Sequence, residues 1–132
     1  MKLILVSAII AAVFSGEAKA CNSELLTVLE WKATDNKQNK LMPYLLEADV
    51  KYNGDKPYRM IHAGVMFSDA LGQRLGQVNL QRDQNVDPGG VAKADGQVSV
   101  DGRIRQINPD DVVYRTCVWS IIYQDGTKEE FK

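Results

Sequence analysis

Residues 44–67 read Tyr44-Leu45-Leu46-Glu47-Ala48-Asp49-Val50-Lys51-Tyr52, then Asn53-Gly54-Asp55-Lys56-Pro57, then Tyr58-Arg59-Met60-Ile61-His62-Ala63-Gly64-Val65-Met66-Phe67. In the first run Tyr44, Leu46, Ala48, Val50 and Tyr52 share one face, and Glu47, Asp49 and Lys51 share the other. A period of two predicts a half-buried strand. Asn-Gly and a proline then reverse the chain. The second run resumes the alternation with Ile61, Ala63, Val65 and Phe67 facing inward and His62 outward. Two strands joined by a turn set the pattern for the rest of the chain.

Around this hairpin the same signal recurs. Leu25 to Ala33 reads as a strand with Leu25, Leu29, Trp31 and Ala33 on one face, although Leu25, Leu26 and Leu29 also fit a short helix. Arg74 to Arg82 is a weaker strand, edge-like or bulged because Gly76 interrupts it. Asp83 to Gly90 is a loop by composition, and Gly96 to Ile107 is broken at Asp101-Gly102 into a hairpin or a bulge. Val112 to Tyr123 is the strongest strand signal, and Gln124-Asp125-Gly126-Thr127 turns it into a short terminal strand. Short strands separated by frequent turns predict an all-β chain, an antiparallel immunoglobulin-like β-sandwich of about seven strands.

The ends bound the compartment. Lys2, the apolar run Leu3 to Phe14 and the small residues of Ala18-Lys19-Ala20 predict a secretory signal over 1–20, cleaved to leave 21–132 as one domain. The apolar run is too short for a membrane span, which takes roughly 20 residues. Cys21 and Cys117 are the only two cysteines of the 132-residue chain. In an exported chain they are candidates for a disulfide, while Cys21 behind a leader also meets the positional requirement for lipidation. No CxxC pair signals thiol exchange. The expected location is the periplasm or the exterior.

The run Ala48-Asp49-Val50-Lys51-Tyr52-Asn53, then Lys56-Pro57, then Val65 to Asp69 with Gly72, then Val86-Asp87-Pro88-Gly89, resembles the FxLYD-type immunoglobulin-like domains of exported bacterial proteins. In these a strand ends in Asn, a second ends in an aromatic residue followed by Asp and Gly, and a Pro-Gly turn precedes the next strand. Ile121 to Gly126 is similar to their last hairpin. Where the family carries Leu and Tyr before the acid, this chain has Met66, Phe67 and Ser68. The resemblance implies a binding or structural domain with no catalytic residues.

His62 is the single histidine, which leaves Ser-His-Asp and Cys-His catalysis without a convincing base and a zinc site short of ligands. Asp83, Asn85 and Asp87 match the first positions of an EF-hand loop, but Pro88 and Ala94 stand where it needs glycine and glutamate. No enzyme activity, metal or cofactor is expected. With 16 basic against 17 acidic residues, the charge balance does not point to nucleic acid.

Two functions are compatible with these features. The first is an exported, non-catalytic interaction module of the cell envelope that presents a sheet face or end loops to a protein partner. Its candidate face carries Arg59, Met60, His62 and Met66, with Gln77, Asn79 and Gln81 on the next strand if Leu80 points inward. The second is a carrier of a lipid or saccharide, with an inter-sheet pocket among Trp31, Tyr52, Phe67, Trp119 and Tyr123. Asp69, Gly72, Pro88, Gly89, Asp125 and Gly126 are assigned to turns, where short acceptor side chains and positive-φ glycines serve the backbone.

Overall fold

The computed structural model describes residues 21–35, 41, 44–98 and 102–131. The expected leader, 1–20, lies outside the described residues, as do Ser99, Val100 and Asp101. Seven strands follow one another: β1 (Leu26–Asp35), β2 (Tyr44–Tyr52), β3 (Tyr58–Asp69), β4 (Arg74–Leu80), β5 (Val91–Val98), β6 (Val112–Tyr123) and β7 (Lys128–Glu130). They form one antiparallel sheet in the order β1-β2-β5-β4-β3-β6-β7. Two short 3-10 turns, Arg103–Arg105 and Pro109–Asp111, precede β6. No α-helix occurs among the described residues, and none of them forms a helix long and apolar enough to cross a membrane.

The sheet is curled. Asn22, just ahead of β1, exchanges two backbone hydrogen bonds with Val118 of β6, at 2.9 and 2.8 Å, although β1 and β6 are separated by four strands in the sheet order. Beside that bridge Cys21 and Cys117 are joined by a disulfide, their Cα atoms 5.3 Å apart. The buried hydroxyl of Thr116 completes the closure by donating toward the carbonyls of Ser23 and Leu26.

The curl encloses the inward faces. Leu46, Ala48, Val50 and Tyr52 of β2 and Ile61, Ala63, Val65 and Phe67 of β3 are all buried, as their alternation predicts. Tyr52 and Tyr58 meet edge to face with centroids 4.8 Å apart, a contact worth about 0.5–1.5 kcal/mol beyond the area it buries. The Tyr52 hydroxyl donates to the carbonyl of Lys56 at 2.6 Å, which satisfies it at the base of the turn.

Three strands depart from the sequence reading. In β1 the register with β2 shifts between Val28 and Glu30, so Leu29 is the extra residue of a bulge and lies 53% exposed. Leu26 and Val28 are therefore buried ahead of the bulge, and Trp31 and Ala33 pack on the core beyond it. The expected face of Leu25, Leu29, Trp31 and Ala33 is corrected because one inserted residue inverts the alternation. β4 is internal, between β3 and β5, yet it pairs with β5 only at Asn79 and Leu80 and is bulged against β3 at Phe67/Ser68. β5 occupies Val91–Val98, where Ala92 and Ala94 face the core, and the stretch expected as a hairpin or bulge contains the turn Arg103–Arg105.

Candidate interaction face

The outward positions of β3 and its neighbours make the candidate site. Facing out along β3 are Met60, His62, Gly64, Met66 and Ser68, the alternates of the buried Ile61, Ala63, Val65 and Phe67. His62 is exposed, and Met60 and Met66 are half-buried. Arg59 is exposed at a register shift between Tyr58 and Met60. On β4 Leu80 points inward, which leaves Gln77 and Asn79 outward beside β3. The Gln77 amide donates to Asn79 Oδ1 at 3.2 Å, and Arg74 Nη2 donates to Gln77 Oε1 at 2.8 Å.

A second bulge shapes this face. The β3–β6 register shifts between His62/Ser120 and Ala63/Val118, leaving Trp119 as the extra residue. Its indole lies beside His62, ring centroids 4.8 Å apart and tilted by 39°. Gly64 makes room for it: a Cβ there would stand 3.3 Å from Trp119 Cη2 and 3.0 Å from both Asn79 Oδ1 and the Val78 carbonyl. The small residue in mid-strand is thus explained by a large one crossing it. Next to His62 a small cavity of about 120 Å³ opens between Met60, Arg82, Ser120, Ile122 and Lys128.

Of the five aromatics expected around an inter-sheet pocket, four belong to the core. Tyr52 and Phe67 are fully buried, Tyr123 nearly so, and Trp31 lies edge-on to Phe67 with centroids 5.6 Å apart. Trp119 belongs to the outer face instead.

The turn residues sit at the two ends of the sheet. Asp69, 7% exposed, closes β3: its carboxylate accepts from the Leu71 and Gln73 amides at 2.9 and 2.8 Å and pairs with Arg103 Nη1 at 2.5 Å. The Arg103 guanidinium first, and then the Gln73 amide, hold its carboxyl below the usual carboxylate range. Gly72 has φ +93°, and its amide bonds back to the Asp69 carbonyl. At the opposite end Gly90 N donates to Asp87 O across Pro88 and Gly89, with Gly89 at φ +81°, the Pro-Gly placement of a type II turn. Gly126, φ +87°, turns β6 into β7. Asp125 accepts from the Thr127 hydroxyl and amide and pairs with Lys56 at 3.2 Å, which holds it down to about 2, the Thr127 hydroxyl foremost.

The other outer face, on β1, β2 and β5, differs in kind. A cleft of about 470 Å³ runs past Glu30, Lys32, Glu47, Asp49, Lys93 and Asp95. Cross-strand pairs neutralise much of it, Lys32 with Glu47 at 3.3 Å and Lys93 with Asp49 at 2.6 Å. Among the described residues no group of three His, Cys, Asp or Glu side chains is placed to hold a metal ion.

Gly64, Arg82, Ile122, Lys128 and Arg103 were not singled out as site residues from sequence, and Trp119 was placed in an inter-sheet pocket instead of on this face. A glycine in mid-strand opposite an aromatic-rich strand is the one signal that could have pointed to the Gly64–Trp119 crossing. Fold and face together define an all-β chain, its curled sheet closed by a disulfide, with a mixed polar and apolar outer surface. No family model, curated protein or solved structure matches the chain.

Proposed function

We propose that the chain is an exported, non-catalytic interaction module that presents the outer face of β3, β4 and β6 to a protein partner. The observation that carries this reading is the arrangement of half-exposed Met60, Met66 and Ile122 around the His62–Trp119 pair. Soft apolar side chains and an indole held partly open on a sheet face are the composition of a contact surface. Export rests on the leader read over 1–20 and on the disulfide, which suits an oxidising compartment such as the periplasm or the exterior.

The fold proposed with it is immunoglobulin-like, of the FxLYD type. The order β1-β2-β5-β4 followed by β3-β6-β7 corresponds to the ABED and CFG sheets of an immunoglobulin-like sandwich, here joined through the β3–β4 hairpin. Such sandwiches carry their contacts on sheet faces or end loops, and in this chain the softer surface is the β3–β6 face.

The test is a pair of variants. His62→Ala with Trp119→Ala should keep the circular dichroism and thermal transition of a folded β protein and lose partners recovered by crosslinking in the envelope fraction. Glu47→Ala with Lys51→Ala, on the other face, should keep both. Equal recovery from the two variants would overturn the proposal.

A further inference from the structure

Resting on that reading, we infer that the partner surface docking on the β3–β4–β6 face is an acidic one, with a carboxylate side chain seated between Arg82 and Lys128. No outward position of β3, β4 or β6 carries a carboxylate, whereas Arg74 and Arg115 stand there with His62, and Arg82 and Lys128 flank the cavity. Arg82 and Arg115 have no side-chain hydrogen bond or ion pair among the described residues. Glu130 of β7, opposite Ser120 in the register and paired with Lys128 at 2.8 Å, is the one acid beside the cavity among the described residues. The β1–β2–β5 face is the internal contrast, since Lys32 and Lys93 there already have carboxylates opposite them. Arg82 and Arg115 without ion pairs on one face, against Lys32 and Lys93 matched on the other, point to charge supplied from outside.

The cavity beside His62 specifies the contact further. It is lined by the apolar residues Met60 and Ile122, by Ser120 and by two basic residues, Arg82 and Lys128. A glutamate or aspartate side chain satisfies both kinds of wall, with its methylenes on the apolar side and its carboxylate between the cations. A protein fits better than a bulk polyanion. The chain as a whole carries a net charge of −1, and its second face presents Glu30, Glu47, Asp49 and Asp95, so attraction is confined to one mixed patch. Arg, Met and Trp gathered on a face poor in carboxylates also match the residues enriched at protein contacts.

The experiment is an NMR titration of the mature chain, residues 21–132, with methionine methyls and tryptophan indoles labelled. The probes are a soluble peptide alternating glutamate with leucine and threonine, its lysine-for-glutamate counterpart, and phosphatidylglycerol vesicles. The acidic peptide should shift the Met60 and Trp119 signals, the lysine peptide should not, and Arg82→Glu with Lys128→Glu should weaken binding at least about tenfold while the protein stays folded. Equal binding of both peptides, shifts confined to Trp31, or a response to vesicles alone would overturn the inference. The fate of the interaction module itself is read separately, by a photoreactive residue at position 62 in the envelope. Capture of a protein through a non-acidic segment would overturn the acidic partner and leave the module standing; no capture at all would remove both.

Discussion

Asp69 and Arg103, 34 residues apart in sequence, meet at 2.5 Å and tie the end of β3 to the turn that precedes β6. Arg103 also donates to Gln73 Oε1 at 3.0 Å, so one guanidinium braces both sides of the β3–β4 hairpin. With its carboxylate accepting two backbone amides as well, Asp69 organises the turn through its side chain.

This contact has a pH signature. The native Asp69 carboxyl is held below its ordinary value, so the stability it contributes is present above the unfolded-state pKa of about 4 and is lost as pH falls through the lowered native value. Thermal unfolding of Asp69→Asn should lie several degrees below wild type at neutral pH, and the two should converge in strong acid. A gap that persists unchanged in acid would mean that geometry rather than charge is responsible.

The bulge in β1 gives opposite fates to neighbouring residues. Leu29→Lys should change unfolding free energy by less than about 0.5 kcal/mol, as exposed substitutions do. Val28→Lys should cost about 3–5 kcal/mol, as an uncompensated buried charge does. Urea denaturation of the two variants checks the register directly, because the unbulged alternation predicts the reverse order.

The disulfide closes a loop of 96 residues across the curled sheet. Loop-closure entropy puts its contribution at about 4–5 kcal/mol. Cys21→Ser with Cys117→Ser should lower the denaturation midpoint accordingly, and intact mass under non-reducing conditions should show the protein two hydrogen atoms lighter than after reduction.

Tyr58 is fully buried, and its hydroxyl has no hydrogen-bond partner among the described residues. Burial pushes that phenol up to about 12. An unsatisfied buried hydroxyl costs roughly 1–3 kcal/mol, so Tyr58→Phe should leave stability unchanged or raise it by about 1 kcal/mol while keeping the edge contact with Tyr52. A clear loss of stability on urea denaturation would reveal a hydrogen bond at that oxygen.

What the sequence made legible follows physical lines. β2 over Leu46 to Tyr52 and β3 over Ile61 to Phe67 alternate without interruption at their inward positions, and those buried residues could be assigned from period alone. β5 was harder because its inward residues, Ala92 and Ala94, are small and carry little apolar signal. Bulges at Leu29 and Trp119 insert one residue each and cannot be seen in a pattern that assumes strict pairing. For that reason Met60, His62 and Met66 were found on the outer face from sequence, while Trp119 was assigned to the interior. Arg103 could not be matched to Asp69 at all, since a contact between distant turns leaves no local trace.

The most direct test of the β3–β4–β6 face as the working surface is site-specific photocrosslinking in the native envelope. A photoreactive residue at position 62 should capture a discrete protein partner, and one at position 51, on the exposed side of β2, should not. Capture from position 51 with none from position 62 would place the contact on the other sheet face and contradict the assignment made here.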